Sequence, residues 1–292
     1  MELPGRPLSY PLTALISDLH SNLPALETAL ADARSRGARR FVCLGDTIGY
    51  GAKPRECLDL VMALCGSDPA DPAAPSGSAP LEAGLCLQGN HEYALLNSAE
   101  DFNPKARSAI EWTRTALNEG DDRERSYRYW DFLGSLAPVE RDARALFVHG
   151  SPRDPVREYM LPRDVKNPAK MQDNFRRMDR PVCFVGHSHV PAVYFEDGRL
   201  HRPDGTEGPI DLALGDVPDP PRMKRAIVNV GSVGQPRDGD PRASFVTYDG
   251  RDGTDGTVRF HRLTYDVAAT MAKIRAVPEL PEYLAERLAQ GR

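Results

Sequence analysis

The sequence predicts an α/β protein in which two β-sheets pack together with helices outside, forming one domain over residues 1–292. Three observations lead there. Through the first two thirds, apolar runs of strand length alternate with amphipathic segments of helical period. Five of those runs end in polar clusters: Asp18-Leu19-His20, Gly45-Asp46, Gly89-Asn90-His91, His149-Gly150 and Gly186-His187-Ser188-His189. In the last third the pattern changes to short apolar runs separated by Gly, Asp and Pro turns, which suits a second sheet with antiparallel pairings.

Residues 1–10 read as a loose leader, and 12–17 as a short buried strand ending at Asp18 and His20. Asn22 resembles an N-cap, and Leu23, Leu26, Leu30 and Ala33 mark one face of a helix that Gly37 ends. A second strand, 41–44, ends at Gly45-Asp46, and Pro54 suits the first turn of a helix carrying Leu58, Val61 and Cys65. Residues 66–82, rich in Pro, Ala, Gly and Ser, read as a flexible, solvent-exposed loop. A strand at 84–88 then reaches Asn90-His91, and Asn103-Pro104 offers a cap and first-turn proline for a helix bearing Ala106, Ile110, Thr113 and Leu117. Further elements are expected as a helix at 127–136, a strand at 145–148, a helix near 168–178 and a strand at 182–185. Short strands follow at 190–195, 210–214, 226–230, 244–248 and 258–263. An amphipathic segment runs from Asp266, with Pro278 and Pro281 as interruptions.

Composition narrows the function classes. A formal net charge of -5 gives no global electrostatic case for nucleic-acid binding, and Arg39-Arg40 and Arg176-Arg177 read as solvated faces rather than a basic stripe with interleaved aromatics. The five cysteines lie in apolar strand-like or helical runs without CxxC spacing, so reduced core thiols and a cytoplasmic location are expected. No basic segment leads into an apolar signal core, and no run has the length of a membrane span.

The polar clusters share a chemistry. They hold five of the seven histidines together with carboxylates and an amide, the donors that hard or borderline divalent ions take. One residue set per strand end points to a single site assembled by a sheet. The donors suffice for two ions: Asp18, His20, Asp46 and His189 around one, and Asp46, Asn90, His149 and His187 around the other, with Asp46 as the bridge. Neighbouring glycines let the loops turn where these side chains converge.

These five blocks, in this order, resemble the calcineurin-like metallophosphoesterase family. The resemblance implies a four-layer α-β-β-α sandwich of two mixed sheets flanked by helices, and a binuclear centre of divalent or mixed-valence transition metals. Mn or Fe is favoured, and Zn is compatible with the same donors. It also implies hydrolysis of a phosphate ester by a water or hydroxide activated at the two ions. His91, outside the ligand set, is the candidate to protonate the departing oxygen or to stabilise charge on the phosphate. Arg153 and Arg237 are candidate phosphate contacts, against a plain alternative of ion pairing or loop support, and Asn229 and Ser232 are candidate supports of the metal loop.

Serine/threonine protein phosphatases of the related superfamily continue the Gly-Asp block with Asp-Arg-Gly. Here Thr47-Ile48-Gly49-Tyr50-Gly51 follows, a form more like bacterial members grouped with small phosphodiesterases and phosphatases. The expected substrate is therefore a phosphorylated small molecule, a phosphodiester or phosphomonoester. A protein phosphatase, a dinucleoside polyphosphate hydrolase and a non-catalytic interaction scaffold are the alternatives.

Overall fold

In a computed structural model the described residues are 10–66, 80–120, 122–212, 214, 216–218, 221–250 and 256–292. Most of the expected loop at 66–82, and nearly all of the leader, lie outside them.

The chain begins with β1 (Thr13–Ile16), α1 (Leu23–Ser35), β2 (Arg40–Cys43), α2 (Pro54–Cys65) and β3 (Leu85–Cys86). Three helices follow, α3 (Asn90–Leu96), α4 (Pro104–Asn118) and α5 (Arg123–Ser135), then β4 (Val139–Arg141), β5 (Ala145–Val148), α6 (Pro168–Arg176) and β6 (Val182–Val185). Next come β7 (Ala192–Phe195), β8 (Leu200–His201), β9 (Ile210–Asp211) and a two-stranded hairpin of β10 (Asp216–Pro218) with β11 (Pro221–Met223). The chain closes with β12 (Ala226–Asn229), β13 (Ala243–Asp249), β14 (Thr257–Leu263), α7 (Val267–Arg275) and α8 (Glu282–Glu286).

Two six-stranded sheets carry the fold, in the orders β3-β2-β1-β13-β14-β9 and β4-β5-β6-β12-β7-β8. Both are mixed. β1, β2 and β3 run parallel in the first and β5, β6 and β12 in the second, and the remaining pairings are antiparallel. Strand alternation explains why the central strands read as unbroken apolar runs: both of their faces are covered. Leu15, Val42, Phe147, Phe184 and Val228 point between the sheets, where Phe184 meets Tyr248 of the opposite sheet at 5.1 Å between centroids. On the outer face of the first sheet, Ala14, Ile16, Phe41 and Cys43 receive Ala25, Leu26, Ala29 and Leu30 of α1 and Cys57 and Val61 of α2. Leu146, Val148, Cys183 and Val185 receive Met171 and Phe175 of α6 on the far face of the second. The result is four layers, helices, sheet, sheet, helix.

The caps expected at Asn22 and Asn103 form, and Asp266 makes a third of the same kind. Asn22 accepts from the Ala25 N–H, Asn103 from Ala106 and Asp266 from Ala269, each fixing the first turn of its helix. Two of the differences from expectation bear on the site. The last third does not build the second sheet by itself: β13 and β14 add to the first sheet beside β1, and β12 enters the second between β6 and β7. All four residues of β12 are buried, so it takes a central place and pairs parallel to β6. The other difference is α3, whose 7 residues are too few for a helical period to register in sequence. Glu92 starts it, its carboxylate reaching back to the Gly89 N–H at 2.9 Å.

No helix among the described residues is long and apolar enough to cross a membrane. All five cysteines are free, four of them buried.

Candidate functional site

Each polar cluster follows the carboxyl end of a parallel strand: Asp18 and His20 after β1, Asp46 after β2, Asn90 and His91 after β3, His149 after β5, His187 and His189 after β6. Strands of both sheets therefore deliver their loops to one edge of the sandwich, where open sheets expose ligand sites. The loops are tight. Seven non-glycine residues among those described have positive φ, and all lie here: Asp18, His20, Ser21, Asp46, Tyr50, His187 and His189. Such backbone is strained for side chains other than glycine and persists where its surroundings enforce it. Gly45, at φ +101°, sits so close to Gly89 that a Cβ would fall 2.6 Å from the Gly89 nitrogen, so the loops after β2 and β3 meet backbone to backbone.

The two aspartates divide their oxygens alike. Asp18 Oδ2 accepts from the His187 N–H at 3.0 Å and Asp46 Oδ1 from the His91 N–H at 2.9 Å, which leaves Asp18 Oδ1 and Asp46 Oδ2 to face the histidines. Asp18 Oδ1 lies 3.2 Å from His189 Nε2 and is buried without a hydrogen-bond partner. Asp46 Oδ2 lies 3.4 Å from His149 Nε2 and 3.8 Å from His20 Nε2, so one oxygen serves both halves of the cluster.

Four imidazoles are oriented from behind. His20 Nδ1 faces the Ile48 carbonyl at 3.2 Å, His149 Nδ1 that of Leu44 at 3.0 Å, His189 Nδ1 that of Gln235 at 2.5 Å, and His187 Nε2 that of Arg157 at 3.0 Å. A carbonyl only accepts, so each of these ring nitrogens carries the hydrogen, and the opposite nitrogen of a neutral ring turns a lone pair inward. Those inward nitrogens crowd together: His20 Nε2 and His189 Nε2 are 3.3 Å apart, and His149 Nε2 and His187 Nδ1 are 3.1 Å apart. Lone pairs and carboxylate oxygens at such separations repel unless positive charge lies among them. The donors fall into groups that can hold a cation, Asp18 with His20 and His189, and Asp46 with His149 and His187. A third, Asp46 with His20 and His91, joins them.

The electrostatics make the same demand. Burial first, then neighbouring imidazoles, depress His20 and His187, the latter to about 3. Burial followed by Arg237 lowers His189. His149 goes the other way, to about 9: burial opposes its charge, but the Asp46 carboxylate overcomes it. Burial likewise opposes the charge on Asp46, yet His149 and His91 hold its carboxyl well below the usual range. The Asp46 oxygen draws onto His149 the charge that a cation between them would supply.

The sequence-proposed residues divide as follows. Asp18, His20, Asp46, His149, His187 and His189 converge, and Asn90 joins them with its Oδ1 3.0 Å from His149 Nε2. His91 lies beside them, its Nε2 4.0 Å from Asp46 Oδ2 and its Nδ1 without a partner, wedged edge-on between Tyr50 and Phe102. Burial, outweighing the pull of Asp46, lowers it to about 4. Asn229 donates to the Gly186 carbonyl at 2.8 Å and Ser232 to that of Asp18 at 2.8 Å, tying the loop after β12 behind the cluster. Arg237 lines the cavity above it, ≈ 250 Å³ in volume. Arg153 does not reach that cavity: its guanidinium is held by Glu158 and faces Asp173.

Sequence reasoning assigns no role to Glu92 and Tyr50 and does not single out Tyr93, Phe102, Arg157 and Tyr159. Glu92 accepts from the N–H groups of Asp46 and Thr47, both at 2.8 Å, and from Gly89, so it shapes the Asp46 loop. Its signal was the acid three residues after Gly89. The others line the cavity from loops and, for Tyr93, from the seven-residue α3, where no sequence period marks them.

Residues 12–207 match the calcineurin-like phosphoesterase family. The chain belongs to that family. A metallophosphoesterase from Sphaerobacter thermophilus has 36% identity and a TM-score of 0.72 over 97% of this chain and 99% of its own. An uncharacterized protein of Methanocaldococcus jannaschii is 34% identical over 96% of this chain and 98% of its own. A hypothetical protein from Pyrococcus horikoshii, 18% identical, shares the fold with a TM-score of 0.68 over 96% and 98%.

Proposed function

We propose that this phosphoesterase-family chain hydrolyses a small phosphodiester or phosphomonoester with two divalent cations. One observation carries the reading: imidazole lone pairs and unshared carboxylate oxygens, each oriented by a hydrogen bond on its far side, are aimed at common points in a buried pocket. Asp18, His20, Asp46 and His189 would hold one ion and Asp46, Asn90, His149 and His187 the other, with Mn or Fe favoured. Ions held there would polarise the phosphoryl oxygens and make a water more acidic.

The chain's own groups complete the reaction. The water oxygen bonds to phosphorus as the ester P–O bond breaks and the alcohol departs with a proton. His91, kept neutral near pH 7 by burial, serves that departure with a hydrogen bond to the developing charge, and Arg237 contacts the phosphate from the rim. Glu92, Asn229 and Ser232 position the loops. The five unpaired cysteines fit a reducing, cytoplasmic setting.

The test is a substrate panel on protein of measured metal content: phosphomonoesters, simple diesters, cyclic nucleotides, dinucleoside polyphosphates and phosphopeptides. Hydrolysis of a small ester that disappears with chelation and returns with manganese is expected. Undiminished hydrolysis after complete metal removal, or none across the panel at full loading, refutes the proposal.

A further inference from the structure

Aromatic residues make up 7% of the chain, yet Tyr50, Tyr93, Phe102 and Tyr159 are four of the fourteen that line the cavity. Three of the four already have work for their rings. Tyr50 meets His91 edge-on with its centroid 4.5 Å away, Phe102 does so at 5.2 Å, and the Arg157 guanidinium lies 4.9 Å over Tyr93. Tyr159 differs. One face stacks on His187 at 3.9 Å and 13°, and the side chain remains 44% exposed.

The loop below it is built to hold that ring in place. The Arg157 carbonyl takes the His187 Nε2 hydrogen, Lys170 Nζ donates to the Tyr159 carbonyl at 2.6 Å, and between them Glu158 accepts from Ser151 Oγ at 2.7 Å and from Arg153. A flat ring is thus fixed on a cavity wall that also carries the Arg237 guanidinium and an Arg157 guanidinium paired with Asp101 at 3.5 Å. Fixed aromatic planes next to cationic groups recognise flat anionic ligands by stacking and charge together.

Resting on the phosphoesterase reading, we propose that the substrate is a phosphate ester bearing an aromatic ring, such as a nucleobase or aryl group. The phosphate sits on the buried cluster and the ring stacks on the open face of Tyr159, which makes Tyr159 a specificity residue.

Methylphosphonate and phenylphosphonate share the anion and differ by the ring, and neither has an ester bond to break. Titration calorimetry on manganese-loaded protein is expected to show phenylphosphonate binding about tenfold more tightly, toward the low end of what one stacked ring contributes. Tyr159→Leu should bring that ratio close to one, and Tyr159→Phe should keep it. The ratio is the readout because any disturbance of His187 weakens both ligands together. Equal binding by the wild-type protein overturns the aromatic subsite and leaves the phosphoesterase reading standing. A preference that survives in Tyr159→Leu overturns the role of Tyr159. Failure of both phosphonates to bind the loaded protein defeats the phosphoesterase reading and the subsite with it.

Discussion

Asp18, His20, Asp46, His149, His187 and His189 form the floor of the cavity. They are at most 4% exposed, and each is fixed by a hydrogen bond on the side away from the cluster. The rim is another kind of surface. Tyr159 is 44% exposed, and Arg157 and Arg237 hang from loops outside any strand or helix. The floor combines backbone strain with mutual repulsion among its donors, so it serves charge and little else. Tyr159, Arg157 and Arg237 have no such backbone strain. A family can therefore exchange rim residues to change what is bound while keeping one reaction centre, the division expected of loops on a rigid scaffold.

The largest effect that would break this contrast lies at Asp46, whose Oδ2 faces both halves of the floor. Asp46→Asn preserves the acceptor for the His91 N–H and removes the charge. Metal content measured by mass spectrometry should fall below two per chain, and kcat/KM should drop at least about 1000-fold. His91→Ala separates chemistry from metal loading. It should lower kcat about 100- to 1000-fold with metal content unchanged, the size expected of a lost charge-stabilising donor. Normal turnover by His91→Ala at saturating substrate and across pH would remove His91 from the chemistry.

The contrast also marks how far the sequence could be read. Every floor residue follows a strand whose apolar run is plain, because β1, β2, β5 and β6 are covered on both faces, and polar residues directly after such runs stand out. Burial thus made both fold and floor legible together. Where that coupling ends, so does legibility. Tyr159 looks like an ordinary loop residue until the chain is folded. Arg153 and Arg157 differ only in direction: one turns to Glu158, the other lines the cavity. The pairing of β12 with β6 was likewise hidden, since a short apolar run does not announce which neighbours it joins.

The two arginines proposed from sequence sharpen the comparison at an intermediate size. Arg237 lines the cavity and its partner is the neutral Gln235 amide, at 2.8 Å, so its charge is available to a phosphate. Arg237→Ala should raise KM about tenfold, with a smaller change in kcat unless the contact tightens in the transition state. Arg153 serves Glu158, and through it the loop that carries Arg157 and Tyr159. Arg153→Ala should raise KM by less than Arg237→Ala does and lower the melting temperature slightly. Steady-state kinetics beside thermal melts distinguish the two, and a larger KM effect at Arg153 would reverse the assignment.

The smallest effect concerns a histidine buried for packing rather than chemistry. His261 on β14 stacks on Phe245 at 4.6 Å and lies 2.9 Å from Thr247 Oγ1, and among the described residues it belongs to none of the groups that could hold a cation. Burial, followed by the Arg36 charge, lowers it to about 4. Between the free value of 6.5 and that pH the unfolded chain takes up a proton that the folded chain refuses, so stability falls as pH falls through this window. Glutamine can keep a hydrogen bond to Thr247 and cannot gain the charge. His261→Gln should therefore flatten the loss of stability between pH 6.5 and 4 while leaving metal content and turnover near wild type. Denaturant melts of both proteins across that range measure the difference. Identical acid slopes would mean that the refused proton belongs elsewhere. A loss of bound metal in the variant would show that the boundary between floor and core had been drawn in the wrong place.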